Sequence, residues 1–133
     1  MIHVAVVHKK YADLMLAGDK TAELRLTKNK IVPFGRVHAG DTVYLKVASG
    51  PICGRATVAK VESHADLTPA KIRELRGEIN DKVQGDSAYW KLKQSARYAT
   101  IVHLKSVKAC SEGPDYSKAR AANPRSAWLL IGD

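Results

Sequence analysis

The chain has 133 residues, 45% of them hydrophobic, so we expect one globular domain over residues 1–133 and not a disordered chain. Lysine and arginine total 22 against 13 acidic residues, which gives a net charge of +9 with neutral histidines. Such a charge attracts polyanions, and nucleic acids are the commonest of them. A merely basic soluble protein has the same composition, so the charge alone leaves both interpretations open.

Several kinds of protein and site are excluded by what the sequence does not contain. No apolar run approaches the ~18 residues that a membrane-spanning helix needs, and the apolar start at residues 1–7 is too short for a signal peptide. Cys53 and Cys110 form no CxxC pair, and the five histidines have no metal-ligand spacing. We therefore expect a cytoplasmic protein with reduced thiols, no metal site and no cofactor.

The first third of the chain predicts a strand, a helix and a second strand. Residues 2–7 form a short β-branched apolar run, which is typical of a strand. Residues 9–17 carry apolar positions at helical spacing, and Gly18 is a natural left-handed end for that helix. Residues 21–27 then alternate, with the apolar side chains on one face and the polar ones on the other.

The remainder of the chain predicts further short strands and two more helices. A helix begins at Pro69, with Thr68 as its cap. Short strands with a few small helices favour an α+β fold with a curled sheet or barrel and peripheral helices. The other segments are a basic loop at 28–38, strands at 42–48, 52–61, 98–107 and 126–131, a polar loop at 80–87, a short helix at 88–94 and a long loop at 111–125.

Three charged residues are brought together by the start of the second strand. Glu23 and Arg25 share one strand face, and Lys20 precedes them, so simple strand geometry places an ammonium, a carboxylate and a guanidinium close together. Such a cluster can bind a phosphate, orient a base edge or carry out acid–base chemistry. The alternative is a ladder of paired charges on an exposed strand face, which this pattern does not exclude.

Residues 18–25 (Gly-Asp-Lys-Thr-Ala-Glu-Leu-Arg) resemble the ASCH domain signature GxKxxExR. Residues 11–17 look like the first helix of that family, and 40–45 look like its "GD" turn with the strand that follows. The segments 98–104 and 127–130 are also similar, in the same order. The resemblance implies a PUA-like β-barrel with peripheral short helices and a cleft beside the first helix, lined by the signature Lys, Glu and Arg.

The resemblance also implies RNA, preferably single-stranded, or a nucleoside as the partner. Some relatives cleave single-stranded RNA, and one short branch deacetylates acetylcytidine nucleoside with a Lys, a Thr nucleophile and a Glu. In that branch the Thr lies where this chain has Glu23, and Thr21 is not the equivalent position. This departure counts against the amidohydrolase mechanism here.

We predict RNA binding in the cleft, with cleavage as a further hypothesis. Hydrolysis of modified nucleosides and a non-catalytic RNA or protein adaptor are the alternatives. We expect His8 to form a structural hydrogen bond, and Phe34 and Trp128 to lie in the core. The predicted catalytic residues are Lys20, Glu23 and Tyr11. The predicted nucleic-acid contacts are Lys9, Lys10, Arg25, Lys28, Arg36, Arg125 and Ser126, with Tyr11, Phe34, Tyr89 and Trp90 as candidates for stacking on bases.

Overall fold

A computed structural model describes residues 1–133 and contains six strands and four helices. No helix is both long and apolar enough to cross a membrane. The strands are β1 (Ile2–Val7), β2 (Ala22–Thr27), β3 (Thr42–Val47), β4 (Ile52–His64), β5 (Tyr98–Ala109) and β6 (Trp128–Gly132). The helices are α1 (Lys9–Ala17), α2 (Pro69–Val83), α3 (Ser87–Leu92) and α4 (Ser117–Ala122).

All six strands belong to one sheet in the order β2-β5-β4-β3-β1-β6. The β1–β3 pair is parallel, and the other neighbouring pairs are antiparallel. The sheet curls strongly into a half-barrel, so its two edge strands, β2 and β6, approach each other without pairing. The expected α+β architecture with a curled, PUA-like sheet and short peripheral helices is confirmed.

The two faces of the sheet each cover a separate hydrophobic cluster. Inside the curl, α1 contributes Met15 to a cluster with strands β1, β3, β4 and β5. On the other face, α2 and α3 pack against β2 and the beginning of β5. Val102 and Ile101 are consecutive in β5 and lie in different clusters, because successive strand residues point to opposite faces. The apolar face of β2 therefore supports α2, and its polar face points into the curl.

Two stretches that the sequence suggested were loops are helical. The helix α2 continues beyond residue 80 to Val83, because Val83 is buried and completes the apolar stripe of that helix. The helix α4 lies within the segment 111–125, has no buried residue and shows no apolar periodicity, so its sequence resembles a loop. Other boundaries differ by a few residues: β4 and β5 are longer than predicted, and β6 begins two residues later.

Candidate functional site

A cleft of about 490 Å³ lies where the two edges of the curled sheet approach each other. Its walls come from β2, from the ends of β1 and β6, from the beginning of α1 and from α3. Lys20, Glu23 and Arg25 all line it. Its other lining residues include Val6, His8, Tyr11, Val32, Pro33, Val83, Tyr89, Leu92, Lys93, Arg125, Ser126 and Trp128.

Lys20 is almost completely buried, with 2% of its surface exposed. Its ammonium donates hydrogen bonds to the carbonyl oxygens of Ala22 and Val83. Val83 is the last residue of α2, where the helix dipole also favours a cation. Burial lowers the pKa of Lys20, while the nearby carboxylate of Glu23 opposes that effect. Lys20 thus joins the turn after α1 to the end of α2 and places a desolvated cation at the cleft.

Glu23 lies between the two cations. Its Oε1 is 3.8 Å from the Lys20 ammonium, and its Oε2 is 3.7 Å from the Arg25 guanidinium. Oε2 and the Nε of Arg25 are buried and have no hydrogen-bond partner within the protein. Since buried polar atoms are normally hydrogen-bonded, this row of charges is only partly satisfied by the protein.

Arg25 connects the two edges of the sheet. From β2, its guanidinium donates to the carbonyl oxygen of Val6 at 2.9 Å and to that of Ala127 at 3.2 Å. Val6 belongs to β1, and Ala127 immediately precedes β6. The same guanidinium lies over the ring of Trp128, 5.3 Å from its centroid. The half-barrel is therefore closed at this point by a side chain and not by backbone pairing.

A buried chain of hydrogen bonds runs from Trp128 through His3 to Asp41 and fixes the position of the indole ring. The indole Nε1 of Trp128 donates to Nδ1 of His3 at 3.1 Å, which assigns the His3 proton to Nε2, 2.8 Å from Asp41. Burial lowers the pKa of His3 despite the opposing hydrogen bond to Asp41. Burial alone raises the pKa of Asp41, but hydrogen bonds from His3 and the backbone N–H of His38 outweigh it and lower that pKa. His3 is therefore neutral and Asp41 ionised.

Two tyrosines and the loop 123–126 complete the cleft. The ring of Tyr11 lies 5.3 Å from the Lys20 ammonium, and the hydroxyl of Tyr89 donates to the carbonyl oxygen of Leu24. Burial raises the pKa of Tyr89, so its hydroxyl stays protonated. Arg120 donates to three carbonyl oxygens of the loop 123–126, which holds the exposed Arg125 at the mouth of the cleft.

Only three of the seven residues predicted to contact nucleic acid lie in the cleft. Arg25, Arg125 and Ser126 line the cleft with the three predicted catalytic residues, although the Ser126 hydroxyl is already hydrogen-bonded to the backbone of Trp128. The other four contacts do not line the cleft, and all are exposed. These are Lys9, which pairs with Asp13, Lys10, which pairs with Asp86, and Lys28 and Arg36.

Of the four aromatic residues predicted to stack on bases, two line the cleft and two do not. Tyr11 and Tyr89 line the cleft. Trp90 was wrongly considered a stacking residue: it is buried in the core beneath α2, and its indole donates to the side chain of Asn80. Phe34 is half-buried against Tyr98 and is not in the cleft.

The core prediction for Trp128 is confirmed, and the prediction for His8 is not. Trp128 is 3% exposed. His8 precedes α1 without a side-chain capping bond and is exposed at the cleft, so it does not have the structural hydrogen bond that was expected.

Other residues of the site have no signal in the sequence that would predict their place there. His3 and Asp41 are separated by 38 positions, and no local pattern connects them. Arg120 and Lys93 lie in segments that had no motif. A basic residue in an uninformative loop gives no sign that it will lie beside a cleft, because that depends on how the sheet curls.

Comparison with known proteins gives one family and several similar folds. The family model for the ASCH domain matches residues 6–122. The crystal structure of ASCH from Zymomonas mobilis is similar with a TM-score of 0.72 and 14% identity, covering 98% of this chain and 87% of that one. The N-terminal domain of McrB from Staphylothermus marinus is similar with a TM-score of 0.53 and 11% identity, covering 98% and 87%. No curated protein matches the sequence. At these identities the similar structures show the fold alone.

The connection made by Arg25 leads to a stability prediction. Arg25→Lys retains the positive charge but loses the planar fork that reaches both Val6 and Ala127. We expect the free energy of unfolding to fall by about 1.5–3 kcal/mol, the range for hydrogen bonds that involve a charged group. Urea denaturation measures the change. Arg97→Lys changes an exposed arginine in the same way and should have little effect. Equal denaturation midpoints in both variants would contradict the role assigned to Arg25.

The neutral state of His3 leads to a prediction about pH. Because its pKa is lower in the folded protein than in the unfolded chain, His3 contributes stability that is fully present above about pH 6.5 and is lost at lower pH. Stability should fall between pH 7.5 and 5.5, and His3→Gln should show a smaller fall, measured by denaturation at each pH. His8→Gln, which removes an exposed histidine, should behave as the wild type. The assignment is wrong if the two variants share one pH profile.

Proposed function

The chain belongs to the ASCH domain family, and we propose that it binds single-stranded RNA, with one unpaired base held in the cleft between β2, α1 and α3. The observation that carries this proposal is the composition of the cleft: apolar and aromatic walls around the buried charges of Lys20 and Glu23 and the half-buried charge of Arg25. Small-molecule sites have this composition, with mostly apolar walls and a few convergent polar groups. A volume of about 490 Å³ lies within the usual range of about 300–1,000 Å³ for such sites.

The charges of the cleft favour an anionic ligand. Lys20 and Arg25 carry two positive charges against the one negative charge of Glu23, and Arg125 and Lys93 add two more at the lining. A base can enter the cleft while its phosphate remains near the outer cations. Direct recognition of RNA bases generally requires unpaired bases, since the grooves of an RNA duplex expose them poorly. These features support a single strand over a duplex as the partner.

Binding should depend on salt and on Arg125. Neutralisation of phosphates on a single strand makes log K fall with log salt, with a slope of about −0.7 for each phosphate contact. Arg125→Gln should therefore weaken binding of a labelled single-stranded RNA and reduce the slope by about 0.7, measured by fluorescence anisotropy between 50 and 200 mM salt. Lys118→Gln removes an exposed lysine that does not line the cleft and should change neither quantity. No binding at low salt, or binding that salt does not weaken, would contradict the proposal.

Cleavage of the bound strand is a second candidate function, favoured by the burial that lowers the pKa of Lys20 beside Glu23. Shifted pKa values of this kind are common where acid–base chemistry occurs. In the simplest reaction, Glu23 accepts the proton of the ribose 2′-hydroxyl, and the 2′-oxygen attacks the phosphorus. A 2′,3′-cyclic phosphate forms as the bond between the phosphorus and the 5′-oxygen breaks, and the leaving 5′-oxygen takes a proton from water. Tyr11 and Lys20 are among the nearby groups able to donate hydrogen bonds to the phosphate.

The cleavage hypothesis is tested with variants that preserve size. Glu23→Gln removes the base, so the single-turnover rate should fall by about 10²-fold or more. Ser95→Ala changes an exposed residue that does not line the cleft and should leave the rate unchanged. An RNA with a 2′-deoxy sugar at the scissile position should resist cleavage. Equal cleavage by wild type and Glu23→Gln would show that the cleft does not cut RNA. Turnover of free modified nucleosides in the same assay would instead favour the nucleoside hydrolase.

A further inference from the structure

A second, smaller cavity of about 190 Å³ lies between α2 and α3. It is called the α2–α3 groove here, and its polar lining consists of Arg73, Arg76, Ser87, Lys91 and Gln94. Arg73 and Lys91 are exposed, and Arg76 is half-buried. The groove thus contains three cations and no carboxylate.

The positive charges of the groove have no compensation along their own helices. On a helix surface, the neighbours of a residue are those three and four positions away. For Arg73 and Arg76 these neighbours are each other and uncharged residues, although α2 contains three acidic residues elsewhere. Lys91 of α3 has only serine, alanine and glutamine at the corresponding positions. None of the three forms an ion pair in the structure. Such like-charge neighbours are slightly destabilising, and a bound anion would remove that cost.

The groups that face the groove are also predominantly hydrogen-bond donors. Arg76 donates to the hydroxyl oxygen of Ser87 at 3.2 Å, so the hydroxyl proton of Ser87 is available for another acceptor. Guanidinium groups match the oxygens of a phosphate geometrically, in pairs of parallel hydrogen bonds. A phosphate group therefore fits this set of side chains.

The groove and the cleft lie on opposite sides of α3. Tyr89, Leu92 and Lys93 line the cleft, whereas Trp90 and Lys91 line the groove. A helix is about 10–12 Å across with its side chains, and successive nucleotides of a strand are about 3.4 Å apart when stacked. A strand that reaches from the cleft to the groove therefore needs about three nucleotides to cross α3. Leu92, which is 76% exposed, provides an apolar surface on the way.

We propose that the α2–α3 groove binds a backbone phosphate of the same RNA strand whose base occupies the cleft. This inference rests on the proposed function and adds a second point of contact, about three nucleotides from the first. The strand crosses α3, with Arg73 and Arg76 binding this phosphate and Lys93 near the phosphate of the nucleotide in the cleft.

The test compares two double variants that each remove two positive charges. Arg73→Gln/Arg76→Gln changes the groove. Arg55→Gln/Lys108→Gln changes two exposed residues that face each other across β4 and β5 and line neither cavity. Both are titrated with labelled oligouridylates of two and ten nucleotides at several salt concentrations. Glutamine is a good helix former, and removal of the Arg73–Arg76 repulsion offsets the loss of the exposed hydrogen bond from Arg76 to Ser87, so thermal unfolding should show little change in the stability of the groove variant.

The groove variant should bind the ten-nucleotide RNA at least several-fold more weakly, with a salt slope reduced by about 0.7 for the one phosphate contact that is lost. It should bind the dinucleotide as the wild type does, because the dinucleotide reaches only the cleft. The control variant should match the wild type with both RNAs. Equal losses in the two variants would show a general effect of charge and overturn the proposal, as would a groove variant that binds both RNAs normally.

Two further outcomes separate this inference from its premise. If the wild type binds neither RNA at low salt, the proposed function is contradicted and the groove proposal with it. If inorganic phosphate raises the melting temperature of the wild type but not of the groove variant, while both bind the ten-nucleotide RNA equally, the groove takes free phosphate. That result overturns the strand proposal and leaves the cleft as it is.

Discussion

The fold and its cleft both depend on the way Arg25 closes the half-barrel. The edge strands β2 and β6 are not paired, and an unpaired edge leaves backbone groups without partners. One guanidinium reaches from β2 to the carbonyl oxygens of Val6 and Ala127 and covers Trp128. Because a side chain and not a ladder of backbone bonds makes this connection, space remains beside it, and that space is the cleft.

Burial of Lys20 and Glu23 beside the half-buried Arg25 is costly, and hydrogen bonds and ion pairs within the protein compensate for part of that cost. Lys20 has two carbonyl partners and a carboxylate, and Glu23 lies between two cations. Buried charges are tolerated when they are paired and hydrogen-bonded. The unsatisfied atoms of Glu23 and Arg25 show that the compensation is incomplete. Replacement by apolar residues would often be neutral for stability, so function is the better explanation for this row of charges at a cleft.

The excess of positive charge is not evenly distributed around the fold. Some exposed lysines, such as Lys9 and Lys10, form ion pairs and are partly neutralised. The cleft and the α2–α3 groove contain cations without enough carboxylates to balance them, and α3 lies between the two. The similar structures establish the fold alone, because one fold supports many functions. The arrangement of charge around α3 is therefore the stronger guide to the partner of this chain.

The sequence by itself determined the fold class, most of the strands and the central cluster. Strand periodicity and a glycine helix end act over a few residues, so residues 18–25 indicated the proximity of Lys20, Glu23 and Arg25 without a structure. Only the tertiary structure decided what those side chains contact, because their partners come from α2, β1 and the segment before β6. The buried chain through His3 and Asp41, the burial of Trp90 and the α2–α3 groove also depend on the packing of distant segments. Local pattern carries no information about such contacts, since the curl of the sheet brings them together.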